Sequence, residues 1–107
     1  IDGDVCRGEF KPGENHVGYS NITHGGIIFS LLDDVMANWL FLKNQIAQTA
    51  KCELRYRKPL PINETVILEG RCIKKKGQIA VMQGLVIHKK LKHVVAESNA
   101  KFMVIKP

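Results

Sequence analysis

A histidine, two glycines and an aspartate lie close together where the most apolar run of the chain begins. His24, Gly25 and Gly26 precede this run, and Asp33 is embedded in it. Glycines leave the backbone N–H groups of a helix start unscreened, and those groups stabilise an oxygen that is acquiring negative charge. A carboxylate among packed apolar side chains needs a partner or a chemical role. The pattern therefore indicates an oxyanion-binding backbone combined with a carboxylate that acts as base or nucleophile.

The separation of these two features determines how they could work together. Gly25 and Asp33 are eight residues apart, which on one helix is about 12 Å along the axis. Both cannot act on one carbon atom from that distance, so a shared reaction centre needs two copies of the chain related by a two-fold axis. We therefore predict a homodimer, either alone or as a dimer of dimers.

The wider sequence resembles a known family. A His-Gly-Gly sequence that opens a helix, with an aspartate nine residues after the histidine, is similar to the signature of the hotdog-fold acyl-CoA thioesterases. The similarity is greatest to the PaaI-like branch of the 4-hydroxybenzoyl-CoA thioesterase superfamily. Further positions that fit this family are Thr49, the strand end 54–59, the proline motif 58–61, Gly84 and the closing run 100–103.

The resemblance implies an enzyme that hydrolyses the thioester of an acyl-coenzyme A to a free acid and coenzyme A. Asp33 would act as general base on water or as nucleophile at the thioester carbonyl, and Gly25 of the other subunit would donate its N–H to the oxyanion. The supporting candidates are Gly26 as a second oxyanion donor, His24 to orient the site, Thr49 to position the attacking water, and Asn21 as a polar neighbour. Coenzyme A is part of the substrate, so the resemblance implies no separate cofactor.

Two other functions are compatible with the same fold. A non-catalytic acyl-CoA-binding protein would keep the ligand groove but lack the catalytic carboxylate, whereas this chain has Asp33. A hotdog hydratase or dehydratase would carry its catalytic histidine in a different loop context, and the sequence lacks that motif. Release of free thiol from acyl-CoA by the purified protein would separate these functions.

The chain carries a net charge of +6, which favours an anionic partner. Nucleic-acid binding is typical of basic residues interleaved with exposed aromatic residues, and aromatic residues are few here. We therefore expect the phosphates of coenzyme A, and no nucleic acid, to explain the charge. The candidate contacts are Arg57, Lys58, Lys74, Lys75 and Lys76.

Composition also bears on membrane insertion, cellular location and the number of domains. Asp33, Asp34 and Asn38 interrupt the most apolar stretch, so we expect no segment of the roughly 20 apolar residues that span a membrane. Three cysteines without paired spacing favour free thiols in the cytoplasm, and the histidines lack metal-ligand spacing. We expect a single domain over 1–107, incomplete at its N-terminus because the first residue is Ile1.

The periodicity of the sequence predicts the elements that hold these residues. A loop over 12–21 leads to Thr23 as N-cap of a helix over 25–42. Alternation predicts strands over 4–10, 51–58, 65–74, 78–88 and 93–105, and residues 74–77 read as a hairpin turn. Short connections favour an antiparallel meander. The fold class is therefore α+β, and the family resemblance implies a hotdog fold, in which an antiparallel sheet wraps around one long central helix.

Overall fold

The computed structural model describes residues 4–13, 17–19, 22–23 and 25–106. One helix packs on a five-stranded antiparallel sheet of order β1-β5-β6-β7-β4, and β2 pairs with β3 separately. This architecture confirms the predicted α+β hotdog fold. The elements are β1 (Val5–Phe10), β2 (Val17–Tyr19), β3 (Ile22–Thr23), α1 (Gly25–Leu42), β4 (Ile46–Tyr56), β5 (Val66–Lys76), β6 (Ile79–His88) and β7 (Val94–Lys106).

Helix α1 has the bounds that the sequence predicts, from Gly25 to Leu42. Its buried side chains recur every three or four residues and form one stripe: Ile28, Leu32, Val35, Met36 and Leu40. By length and hydropathy alone α1 could cross a membrane. The stripe instead packs with apolar side chains of the sheet in two core clusters, which is the arrangement of a core helix in a globular protein.

The sheet follows the predicted alternation and allows α1 to approach closely. On β7 every second residue is buried and forms one face: Ala96, Ser98, Ala100 and Phe102. On β5, a Cβ atom at Gly70 would lie 2.4 Å from the carbonyl oxygen of Val35. Because real Cβ atoms do not approach backbone so closely, glycine at this position lets the helix backbone rest directly on the sheet.

The order of the strands corrects the predicted meander. β5, β6 and β7 are consecutive neighbours as expected, but β4 pairs with β7 at one edge and β1 pairs with β5 at the other. The chain must therefore cross between β4 and β5 instead of turning tightly. In this crossing Leu60 is fully buried, and its carbonyl oxygen accepts a hydrogen bond from the N–H of Thr23 at 2.8 Å. Strand periodicity carries no information about which strand becomes the neighbour.

Four local predictions are wrong. The strand predicted over 51–58 begins earlier, at Ile46. Residues 74–76 continue β5, and the chain turns after them at Gly77, whose φ is +59°. Thr23 lies in β3, and its buried hydroxyl makes no hydrogen bond to any residue that the structure describes. It does not cap α1, because the helix begins two residues later. The loop predicted over 12–21 contains β2, which is too short for its alternation to be recognised.

Candidate active site

Asp33 lies on the side of α1 that faces β4. The hydroxyl of Thr49 donates a hydrogen bond of 2.7 Å to Asp33 Oδ1, so the structure brings together two residues that the sequence nominated separately. Asp33 is half-buried, whereas the adjacent Asp34 is exposed. A carboxylate accepts several hydrogen bonds, so the bond to Thr49 fixes its orientation and leaves acceptor capacity for a water molecule or a proton.

An irregularity in β4 places Thr49 on the helix-facing side of the sheet. The pairing with β7 shifts by one residue between Thr49 and Lys51, which makes Ala50 an extra residue. Side chains alternate along a regular strand, so Thr49 and Cys52 would otherwise point to opposite faces. A bulge reverses this alternation, and it directs both side chains toward α1. The sequence pattern contains no sign of the extra residue.

Cys52 is the third side chain near the carboxylate. Burial raises the pKa of the Cys52 thiol, and the negative charges of Asp33 and Glu53 raise it further. The thiol is therefore neutral at pH 7, and a neutral thiol is a poor nucleophile. Of these groups, Asp33 is the one suited to act as base or nucleophile.

The candidate oxyanion donors lie at the first turn of α1. Tyr56 of β4 donates a hydrogen bond of 3.0 Å from its hydroxyl to the carbonyl oxygen of Gly25. That carbonyl shares a planar peptide unit with the N–H of Gly26, so the bond holds the orientation of both groups. Sequence reasoning missed Tyr56 as a site residue. The signal that was available is its place on the same face of β4 as Cys52.

Both halves of the candidate site are therefore attached to β4, one at Thr49 and the other at Tyr56. α1 is continuous between Gly25 and Asp33, so their separation along the axis is about 12 Å. Within one protomer these two groups cannot meet at a single reacting carbon. Two further candidates, His24 and Asn21, lie outside the described residues.

The predicted coenzyme A contacts form two groups. Arg57 and Lys58 line a cavity of about 320 Å³ beside the first turn of α1, and Arg57 is held by Glu97 at 2.7 Å. Lys74 and Lys75 line a cleft of about 440 Å³ near the C-terminal end of α1. Lys76, the last residue of β5, is exposed beside them.

These two basic groups are far apart in one protomer. Lys75 pairs with Ala80, Ala80 with Phe102, and Phe102 with Thr49, so Lys75 and Thr49 lie in one row across the sheet. The row spans three strand spacings, or about 14 Å. Arg57 lies a further eight residues along the chain, which is more than about 20 Å of strand. One phosphate bound to a single protomer therefore contacts one group or the other.

Known proteins share this fold. A Streptococcus pneumoniae hypothetical thioesterase has a TM-score of 0.92 at 15% identity, over 97% of this chain and 84% of that chain. Two of its structures carry single alanine substitutions, one of an aspartate and one of a threonine sixteen residues later. A Streptococcus mutans protein bound to acetyl-CoA has a TM-score of 0.90 at 22% identity, over 96% of this chain and 82% of that chain.

The E. coli PaaI protein, from the phenylacetic acid degradation operon, is a third such structure. Its TM-score is 0.89 at 18% identity, over 95% of this chain and 73% of that chain. No curated protein matches the sequence significantly. The sequence does match the family described as the thioesterase superfamily over residues 20–103, which is most of the chain. The protein belongs to the thioesterase superfamily.

Proposed function

We propose that this protein is an acyl-CoA thioesterase. The observation that carries the proposal is the hydrogen bond between Thr49 and Asp33, because it orients a half-buried carboxylate on the central helix of a thioesterase-superfamily fold. A carboxylate held in this way is suited to accept a proton from water or to attack a carbonyl carbon.

In the proposed mechanism, Asp33 has one of two roles. As general base, Asp33 accepts a proton while the water oxygen bonds to the thioester carbonyl carbon. The carbonyl oxygen becomes negative and is stabilised by the backbone N–H of Gly25 from the other subunit. The carbon–sulfur bond then breaks, the coenzyme A thiolate leaves and takes up the proton, and the free acid remains. As nucleophile, Asp33 would instead form an acyl anhydride, which water hydrolyses to the same products.

A relative supports the pairing of Asp33 with Thr49. The aspartate and threonine replaced by alanine in the S. pneumoniae protein are sixteen residues apart. Asp33 and Thr49 have the same separation along the chain and are in direct contact. The S. pneumoniae and S. mutans proteins have been solved with coenzyme A and acetyl-CoA, which supports an acyl-CoA ligand here.

The surface beside Asp33 supports the dimer that this mechanism needs. β4 is an edge strand of eleven residues, and most of its side chains are exposed. A long uncovered edge is a liability that natural proteins cover or pair. On the same side of α1, Phe29 is 37% and Phe41 is 65% exposed. We expect a second copy of the chain to cover this surface, so sedimentation should give two or four times the chain mass of 12.0 kDa.

The basic residues would bind the phosphates of coenzyme A. This end of the substrate does not change during the reaction, so charge reversal at the true contacts should raise KM and leave kcat nearly unchanged. Lys58→Glu and Lys75→Glu probe the two basic groups separately. Equal KM values for acyl-CoA and acyl-pantetheine in the native protein would exclude phosphate recognition.

The direct test of the activity is release of free thiol from acyl-CoAs with short, medium, long and aromatic acyl groups. An acyl-CoA thioesterase releases thiol from at least one of them. A protein that binds acyl-CoA without releasing thiol would be the non-catalytic alternative. A protein that hydrates an enoyl-CoA, while leaving the thioester intact, would be the hydratase alternative.

A further inference from the structure

We propose that Tyr56 is a positioning residue that holds the oxyanion-donating turn of α1 in place for thioester hydrolysis; the inference rests on the proposed function. Its hydroxyl donates a 3.0 Å hydrogen bond to the carbonyl oxygen of Gly25. Its ring also lies against the same residue, because a Cβ at Gly25 would be 3.5 to 3.8 Å from Tyr56 Oη, Cζ and Cε1. Tyr56 thus donates a hydrogen bond to the first residue of the helix, and its ring lies where a side chain at that position would pack.

The bond matters because a helix start is the least constrained part of a helix. The first turn of a helix is held by fewer backbone hydrogen bonds than its interior, and helix ends fray. An oxyanion donor is effective only when it is fixed before the reaction, and a displacement of about 1 Å can cost about a hundredfold in rate. Tyr56 joins this turn to β4, the strand that also carries Thr49. One strand therefore holds both the donor and the carboxylate of its protomer.

The hydroxyl has an electronic effect in addition to its mechanical one. A carbonyl that accepts a hydrogen bond polarises its peptide unit and strengthens the N–H of the same unit as a donor. For the carbonyl of Gly25 that N–H belongs to Gly26. The contact with Tyr56 therefore orients the first turn of α1, which carries the Gly25 N–H, and polarises the peptide unit that follows it.

Ser30 provides a matched control. Its hydroxyl donates a hydrogen bond, also of 3.0 Å, to the carbonyl oxygen of Gly26 in the same turn. That bond stays within α1 and does not attach the helix to β4. Tyr56→Phe should lower kcat by about tenfold with little change in KM, whereas Ser30→Ala should leave kcat within about twofold. Equal effects of the two variants would mean that attachment to β4 is unimportant.

Mixed dimers give the sharpest test, because the proposal assigns Tyr56 to one half of each site. When Asp33→Ala and Gly25→Pro chains are combined, the one intact site uses Gly25 of the first chain and Asp33 of the second. Tyr56→Phe should slow this site about tenfold when placed on the Asp33→Ala chain, and should have no effect on the other chain. Thr49→Val should slow the intact site when it is placed on the Gly25→Pro chain, and should have no effect on the Asp33→Ala chain. Equal slowing from either chain would overturn the proposal.

A measurement that does not need activity separates this inference from the proposed function. Tyr56→Phe should speed hydrogen exchange of the amides of residues 28–30, which depend on the first turn of α1, and Ser30→Ala should do so less. If the native protein releases no thiol from any acyl-CoA, the proposed function fails, even where the exchange result shows that Tyr56 holds the turn. Unchanged exchange together with unchanged kcat in Tyr56→Phe would refute the positioning role.

Discussion

Replacing Thr49 by valine removes one hydroxyl from the candidate site and preserves the shape of the side chain. The hydroxyl bonds to Asp33 Oδ1 at 2.7 Å, and a hydrogen bond to a charged group is worth about 1.5–3 kcal/mol. Thr49 is exposed and Asp33 is half-buried, so solvent screening reduces this to about 1–2 kcal/mol. If that energy orients the carboxylate in the transition state, kcat should fall by about five- to thirtyfold.

The assay is thiol release under saturating acyl-CoA, with the fold checked by thermal denaturation. Valine is β-branched like threonine and suits a strand, so the fold should persist and lose no more than the hydrogen bond contributes, about 1–2 kcal/mol. Thr49→Ser keeps the hydroxyl and should retain most of the activity. A valine variant with native kcat would refute the idea that Thr49 positions the carboxylate. A serine variant as slow as the valine variant would show that the methyl group matters instead.

Three other perturbations test the packing and the titration of the protein. Gly70→Ala should destabilise the fold by about 3 kcal/mol or more in urea unfolding, because its Cβ would overlap the helix backbone. The control is Gly8→Ala, whose Cβ would meet nothing within 4 Å and which should be tolerated. Thr23→Val should raise the melting temperature, because it removes a buried hydroxyl that has no partner among the described residues. Burying that hydroxyl costs about 1 kcal/mol. The raised pKa of Cys52 means that the folded protein keeps this proton to higher pH than the unfolded chain does. The stability that this proton contributes should therefore be complete below pH 9.0, the reference pKa of a cysteine, and should be lost as the pH rises above it. The Cys52→Ser variant, which has no thiol to titrate, should lose less stability over the same pH range.

Much of the fold follows from sequence periodicity. The apolar run and its glycine start predict the bounds of α1, and strict alternation predicts which residues of β7 are buried, from Ala96 to Phe102. The order of the sheet does not follow. β4 pairs with β7 at one edge of the sheet instead of with β5. The crossing between β4 and β5 is long enough to reach either edge, and no local signal chooses between the two.

The candidate site could be predicted only in part for a related reason. Asp33 and Thr49 are recognisable through residue type and family spacing, but their contact depends on a bulge at Ala50. An extra residue in one strand leaves no trace in composition and inverts the faces of all residues before it. The role of Tyr56 was likewise hidden, because its contact with Gly25 joins two segments that are 31 residues apart in the chain.

The central claim is that Asp33 carries the chemistry of thioester hydrolysis. The most direct measurement is kcat for thiol release by Asp33→Asn beside Asp34→Asn, which changes the neighbouring exposed carboxylate in the same way. Loss of a general base lowers kcat by about two to four orders of magnitude, so Asp33→Asn should be nearly inactive while it still binds acyl-CoA, and Asp34→Asn should remain close to native. Near-native kcat in Asp33→Asn would contradict the account, and loss of activity only in Asp34→Asn would move the catalytic role to the adjacent residue.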